Sequence, residues 1–175
     1  MSLDLQKILC PVDLSGFSLE AVKLTAKVTE NSNPTLYLLH LIDNPYDELY
    51  MESITQADPV LLELYKNEPH KRAQVLDATK THSEVLLKQF CQDVVSRVYR
   101  VRHQVETGDP FEVIIDFAES NGGDLIVLAT HGRTGIRRLL IGNVAEKVVR
   151  HAPCPVLTVK PGVQGAVAKR GEPSD

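Results

Sequence analysis

Two runs of apolar β-formers restrict the fold of this chain more than any other feature. The first covers residues 35–42 and the second residues 125–128, where it begins shortly after a Gly-Gly break at residues 122 and 123. A strand without polar alternation is typical of a sheet that is covered on both faces, because both sides of such a strand must be buried. Both runs therefore predict inner strands of a parallel sheet.

Extended and helical patterns alternate along the rest of the chain. Further strands are predicted at residues 7–12, 98–105 and 155–159. Helices are predicted at residues 18–30, 70–96 and 110–119 and in the segment that follows Asn143, with Asp109 and Asn143 as N-caps. Five strands that alternate with four helical regions predict a three-layer, doubly wound α/β domain with parallel strands and right-handed crossovers.

An anion site is predicted after the strand at residues 125–128. Ala129 and Gly132 follow that strand at its carboxyl end, where open α/β sheets place their ligands. The helix after Asn143 presents unpaired backbone N–H groups to the same loop, which also carries Arg133. Helix starts and arginines both attract anions, so phosphate is the expected ligand.

Composition and motifs argue against several other functions. A net charge of −4 argues against a nucleic-acid partner. The chain has no GxxxxGK[ST] run, no G-x-G-x-x-G after the first strand, no HxGH pair and no GxSxG elbow. Because it also lacks an apolar run of ~20 residues and a signal-peptide pattern, we expect a cytoplasmic protein without membrane contact.

The three cysteines are expected to be buried, reduced thiols. Cys10, Cys91 and Cys154 are odd in number and share no metal-ligand spacing. Free cysteine is among the most buried residue types, and here Cys10 lies in a predicted strand, Cys154 lies at the start of another and Cys91 lies on a helical pattern. A redox role finds no support in this spacing.

Three segments resemble the universal stress protein family. The family's nucleotide signature is a Gly, two residues, a Gly, nine residues, and a Gly followed by Ser or Thr. Here Ala129 takes the place of the first Gly, Gly132 and Gly142 match the other two, and Asn143 replaces the Ser or Thr. Residues 8–15 and 151–157 also resemble the family. We therefore expect one domain at residues 1–160 with an insert at residues 43–69, followed by a flexible tail at residues 161–175.

The resemblance implies both a fold and a ligand. The fold is the adenine-nucleotide alpha hydrolase-like arrangement, a five-stranded parallel sheet in the order 3-2-1-4-5 with its switch point between strands one and four. The ligand is an adenine nucleotide, ATP or else ADP or AMP, together with Mg²⁺ or Mn²⁺. The binding residues that the resemblance implies are Pro11, Val12, Asp13, Leu41, Leu128, Ala129, His131, Gly132, Arg133, Gly142, Asn143 and Val144. No catalytic residue and no protein ligand of a metal is predicted.

The resemblance also implies a role and an assembly. The role is that of a regulatory or sensing module in the stress response, and the assembly is a homodimer joined through residues 155–159, an apolar strand at the sheet edge. Two rival functions stay open. One is a dimeric stress adaptor that holds no nucleotide because of Ala129 and Asn143, and the other is a slow ATP hydrolase.

Several single residues fit more than one interpretation. Asp13 fits a ribose or adenine contact, but it also fits an Asx-turn at a helix start. Leu41 fits a backbone contact to adenine and equally a place in the core. His131 fits a loop residue beside the phosphates better than a catalytic base, because no acidic residue is spaced to orient it. Ala129 weakens the site only if that position needs a positive φ. The insert fits a flap, a partner-contacting arm or a solvated helical excursion.

Overall fold

The three inner strands form where apolar runs are long enough to be buried in a sheet. The computed structural model describes residues 5–29, 33–42, 72–95, 100–130 and 142–160. They form β1 (Lys7–Val12), α1 (Gly16–Val28), β2 (Thr35–Ile42), α2 (Arg72–Val95), β3 (Arg100–Thr107), α3 (Pro110–Asn121), β4 (Leu125–Ala129), α4 (Asn143–His151) and β5 (Val156–Val159). The predicted insert at residues 43–69 and tail at residues 161–175 lie outside the described residues.

The five strands form one parallel sheet in the order β3-β2-β1-β4-β5. β1 is central, since it pairs with β2 on one side and with β4 on the other. The predicted fold class and strand order are confirmed. In a sheet of this order the chain leaves neighbouring strands β1 and β4 in opposite directions, which opens a crevice at their carboxyl ends.

Helices cover both faces of the sheet and produce two separate cores. One face packs against α1 and α2, and its cluster of buried residues includes Ile8, Cys10 and Leu38 from the sheet and Leu87 from α2. The other face packs against α3 and α4 and includes residues such as Leu9, Leu39 and Ile126. Ile8 and Leu9 point to opposite faces because successive side chains of a strand alternate. This arrangement is the predicted three-layer architecture.

The helix starts agree with the sequence at α3 and differ at α1 and α4. Asp109 caps α3 by accepting hydrogen bonds from Phe111 N and Glu112 N, as predicted. α1 begins at Gly16 with Ser15 as its N-cap, earlier than the predicted start at residue 18. The N-cap of α4 is Gly142, with an extended backbone, and not Asn143 as predicted. A bond from Gly142 N to Thr130 O holds Gly142 outside the helix, so that Asn143 becomes its first residue.

The helical spacing of Val75, Thr79, Leu86, Phe90 and Val94 predicts the buried face of the long helix α2, and the observed face lies one position away from part of it. Its fully buried residues Thr79, Ser83, Leu87 and Cys91 recur every four positions, whereas the predicted Leu86 is only partly buried. Because Leu86 and Leu87 are adjacent leucines, the sequence pattern alone does not separate them. In the ranges that the structure describes, α2 and the other helices include none that is long and apolar enough to cross a membrane.

Candidate functional site

The candidate site is the carboxyl edge of β1 and β4, the point in the sheet where the strand order reverses. β1 ends at Val12, and the next residue, Asp13, begins the turn into α1. β4 ends at Ala129, and Thr130 follows it at the same edge. Asp13 and Thr130 are thus brought to the same edge by parallel strands, as the strand order predicts.

Asp13 organises the turn between β1 and α1. Its Oδ1 accepts hydrogen bonds from Ser15 N at 3.0 Å and from Ser15 Oγ at 2.6 Å. Ser15 Oγ in turn accepts from Ser18 N at 3.3 Å and caps α1. The Asx-turn reading of Asp13 is therefore observed. A ligand contact of the same carboxylate stays a prediction.

Leu14, inside that turn, has a strained backbone. Its φ of 61° is the left-handed conformation, and within the described part of the chain no other residue except glycine has a positive φ. This conformation crowds the side chain of a leucine against its own backbone. Such strain persists in proteins mainly where the surrounding structure enforces it, often at functional sites. Here the Leu14 side chain packs against the core under α1 and α2, and the Asp13 and Ser15 bonds hold the backbone.

Thr130 joins β4, β5 and α4 at the other side of the crevice. Its N–H donates to Val159 O at 2.9 Å, and its carbonyl oxygen accepts from Gly142 N at 2.7 Å. The residue is 1% exposed. These bonds bring the start of α4 against the end of β4. Thr130 was not among the predicted site residues, because its partners lie 12 and 29 positions further along the chain and only the fold brings them together.

Gly142 is favoured by the limited space around it rather than by an unusual backbone conformation. Its φ is −69°, which any residue adopts, but a Cβ there would lie 3.1 Å from the carbonyl oxygen of Thr130. The Gly142 N–H is already used by Thr130. The first intrahelical bond of α4 runs from Glu146 N to Gly142 O, so the N–H groups of Asn143, Val144 and Ala145 lack intrahelical acceptors. These three groups are the anion donors that α4 offers.

Ala129 fits its place without strain. It is the last residue of β4 and pairs with Val159 of β5. Because its φ is not positive, a glycine is not needed there, and the added methyl group does not distort the backbone. Of the two departures from the family signature, this one leaves the backbone of the site unchanged.

The other predicted site residues fall into three groups. Val12 and Leu128 are 4% exposed and belong to the core, so that only their backbone can face a ligand. Pro11 and Leu41 are partly buried, Pro11 within β1 and Leu41 near the end of β2. His131, Gly132 and Arg133 lie outside the described residues.

His40 is a buried polar residue beside the site that the sequence analysis missed. It is 2% exposed, and its Nδ1 lies 2.8 Å from the carbonyl oxygen of Val12. Val12 and His40 are register partners in the β1–β2 ladder. A histidine inside an apolar strand is the signal that sequence reasoning could have used, because a buried polar side chain needs a partner.

The cysteines offer no nucleophile. Cys10 and Cys91 are buried free thiols, and burial raises the pKa of each to about 12. Burial also raises the pKa of Cys154, which is only partly buried, with a further contribution from the nearby carboxylate of Asp124. Thiols with raised pKa values stay protonated at neutral pH. Within the described ranges, moreover, no group of three or more His, Cys, Asp or Glu residues could hold a metal ion.

Comparison with known proteins places this architecture in a family. The universal stress protein family model matches residues 5–160, which include every described element from β1 to β5. The chain belongs to the universal stress protein family. The resemblance seen in the sequence is thereby confirmed, and it extends over the whole sheet and its helices rather than over the glycine motif alone.

Relatives in the family cover nearly all of the chain. Universal stress protein MJ0531 of Methanocaldococcus jannaschii is 32% identical over 159 residues, which are 89% of this chain and 82% of that protein. Universal stress protein MJ0577 of the same organism is 29% identical over 164 residues, or 91% of this chain and 98% of that protein.

Solved structures of the family share the fold. Universal stress protein UspA from Lactobacillus plantarum superposes with a TM-score of 0.68 at 24% identity, covering 90% of this chain and 99% of that one. The structure of MJ0577 superposes with a TM-score of 0.63 at 27% identity, covering 90% of this chain and 96% of that one. The five-stranded universal stress protein fold of this chain is therefore established.

Proposed function

We propose that this protein binds an adenine nucleotide, ATP with a divalent cation, in the crevice between the carboxyl ends of β1 and β4. The observation that carries the proposal is the contact between Thr130 and Gly142. This contact presses the start of α4 against the end of β4, so that three N–H groups without intrahelical acceptors meet the crevice. A helix start placed at a topological switch point is a site for phosphate.

The opposite side of the crevice supplies the base and ribose contacts in this proposal. Asp13 lies at the end of β1 with a carboxylate that accepts hydrogen bonds, and Leu41 lies near the end of the neighbouring strand β2. Ribose hydroxyls are donors that suit a carboxylate, and a backbone N–H and C=O pair suits the adenine edge. The base end and the phosphate end thus lie on different strands of the same edge.

Two proteins with this fold hold adenine nucleotides in their structures. One is a universal stress protein in complex with cAMP, and the other is a universal stress protein family protein from Arabidopsis thaliana with AMP bound. They are 18% and 20% identical to this chain, with TM-scores of 0.54 and 0.51, so the likeness concerns the fold alone. They support the class of ligand and leave the number of phosphates to experiment.

The proposed role of the bound nucleotide is sensing or regulation in the stress response, with turnover slow at most. In this proposal His131 lies beside the phosphates, and no acidic residue is spaced in the sequence to orient it as a base. Asn143 in place of Ser or Thr removes a hydroxyl that would contact phosphate or the cation, while its backbone N–H remains. Asn143→Ser is therefore expected to bind ATP at least as tightly as the natural protein.

A titration with ATP, ADP and AMP, each with and without Mg²⁺, tests the proposal. Saturable binding of at least one nucleotide supports the proposal, and the order of affinities shows how many phosphate groups the preferred ligand carries. A protein that binds none of them is the nucleotide-free adaptor. A phosphate-release assay under saturating ATP then separates a sensor, which releases phosphate slowly or not at all, from a hydrolase with steady turnover.

We also propose a homodimer joined along β5. The sheet order places β3 and β5 at the two edges. The β3 edge exposes the side chains of Arg100 and Arg102, which discourage pairing, whereas β5 exposes Leu157 and carries no charged residue. An antiparallel meeting of two β5 strands across a two-fold axis would give each outer edge a partner.

A further inference from the structure

We propose that His40 is a positioning residue for the base end of the crevice. Through one side-chain hydrogen bond it fixes the end of β1 against β2, and so sets the separation between Asp13 and Leu41. The inference rests on the proposed function, because that function assigns Asp13 and Leu41 to the ribose and the base.

The location of His40 calls for a specific role. It lies between Leu38 and Ile42 on the same face of β2, and both of these residues are fully buried in the core under α1 and α2. Removing an imidazole from water is unfavourable unless its nitrogens find partners. An aliphatic residue would fill this place in the core without that requirement. The imidazole therefore supplies a hydrogen bond that an aliphatic residue cannot supply.

The bond has a defined direction and a defined target. Carbonyl oxygens only accept, so the 2.8 Å contact with Val12 O requires that His40 Nδ1 carries the hydrogen. Val12 is the last residue of β1, and its carbonyl group belongs to the peptide unit that leads into Asp13. β2 continues for two residues beyond the Val12–His40 pair, and the first of them is Leu41. One side chain thus bridges the residues that directly precede both base-end positions.

The His40 bond also supports the turn that follows β1. Leu14 has a φ of 61°, so the backbone that carries Asp13 is under strain and needs support from its surroundings. Ser15 holds the Asp13 side chain from the side of α1. His40 holds the Val12–Asp13 peptide from the side of β2. Removal of the His40 bond would let the turn relax and move the Asp13 carboxylate away from the ligand.

A pair of polar substitutions isolates the bond. His40→Asn places an amide nitrogen near the position of Nδ1 and keeps a donor for Val12 O. His40→Gln places its amide nitrogen near the position of Nε2 and loses that donor. Leu38→Val is the matched control, because Leu38 is fully buried on the same strand and face and pairs with Cys10, two residues before the end of β1.

Each variant is titrated with ATP, adenosine and inorganic tripolyphosphate, and its thermal unfolding is recorded. We expect His40→Gln to weaken ATP and adenosine about ten-fold, the effect of one hydrogen bond, while tripolyphosphate binding is unchanged. We expect His40→Asn to stay within about two-fold of the natural protein for all three ligands. Leu38→Val should lower the melting temperature without changing the three affinities.

The possible failures are distinguishable. If the natural protein binds no nucleotide, the proposed function itself is wrong. If it binds ATP and folded His40→Gln binds adenosine equally well, or loses tripolyphosphate to the same degree, the role of His40 is wrong. Should His40→Gln not fold, the side-chain nitrogen resonances of His40 in the natural protein decide. Adenosine should shift the Nδ1 resonance and tripolyphosphate should not, and an unchanged resonance with adenosine overturns the proposal.

Discussion

A Cβ atom at position 142 would lie 3.1 Å from the backbone oxygen of Thr130, a tight contact whose relief requires one of the two backbone segments to move by a few tenths of an ångström. Gly142→Val should therefore push the start of α4 away from β4 and reduce ATP binding below detection, while the sheet stays folded. Gly123→Ala is the control, because its Cβ would make only ordinary contacts of 3.6 Å or more with Ala118 at the opposite edge. Titration and thermal unfolding of both variants test this prediction, and ATP binding by Gly142→Val at the natural level would contradict it.

Asp13 has an observed role in the turn and a proposed role toward the ligand, and two variants separate them. Asp13→Ala should weaken ATP binding by about 1–3 kcal/mol if the carboxylate also accepts from the nucleotide. Ser15→Ala removes the 2.6 Å bond to the carboxylate and the cap of α1, but leaves the Asp13 carboxylate in place. It should lower the melting temperature and weaken ATP binding less than Asp13→Ala does, because the backbone N–H of Ser15 still holds the carboxylate. If Asp13→Ala weakens ATP binding no more than Ser15→Ala does, Asp13 is a turn residue alone.

At the scale of elements, the contribution of the contact between α2 and β3 to the free energy of unfolding depends on pH. Burial lowers the pKa of His103 in β3, and the charge of Lys88 on α2 lowers it further. The folded state thus favours the neutral imidazole, and the unfolded chain binds the proton more readily. This contribution to stability is fully present above the unfolded pKa of 6.5 and is lost as the pH falls toward the lower folded value.

Urea unfolding of the natural protein, His103→Gln and His151→Gln at about pH 7.5 and about pH 5 tests this linkage. The natural protein should lose more stability on acidification than His103→Gln does. His151 is exposed at the end of α4, so His151→Gln should behave as the natural protein. An equal loss in the natural protein and in His103→Gln would show that His103 does not contribute.

The elements also show what the sequence could predict and what it could not. All five strands were placed within about two residues, because a run such as the one in β2 can be buried only as an inner strand. The start of α4 was missed by one residue, since the bond that fixes Gly142 at the cap position joins it to Thr130, 12 positions earlier in the chain. Thr130 and His40 themselves were missed because each acts on a residue of another strand or helix. Such contacts follow from the packing of the sheet and leave no periodic signal in the sequence.

At the scale of the whole molecule, the proposed homodimer can be tested without damage to the sheet. The carbonyl groups of Pro155 and Val159 bond to β4, so the backbone groups of alternate residues, including Thr158, face the outer edge. Thr158→Pro removes one outward N–H and leaves the bonds to β4 in place. It should give monomers by light scattering, whereas Leu157→Pro breaks an inner bond and should also lower the melting temperature. A natural protein that is monomeric at micromolar concentration contradicts the dimer.

The nucleotide content of freshly purified protein tests the proposed function most directly. The natural protein and Gly142→Val are purified side by side without added nucleotide, denatured, and the released small molecules are separated and quantified. We predict that the natural protein releases an adenine nucleotide and that Gly142→Val releases little or none. Equal amounts from both proteins would contradict the site at the start of α4. A natural protein that releases no nucleotide and binds none on titration would contradict nucleotide binding itself.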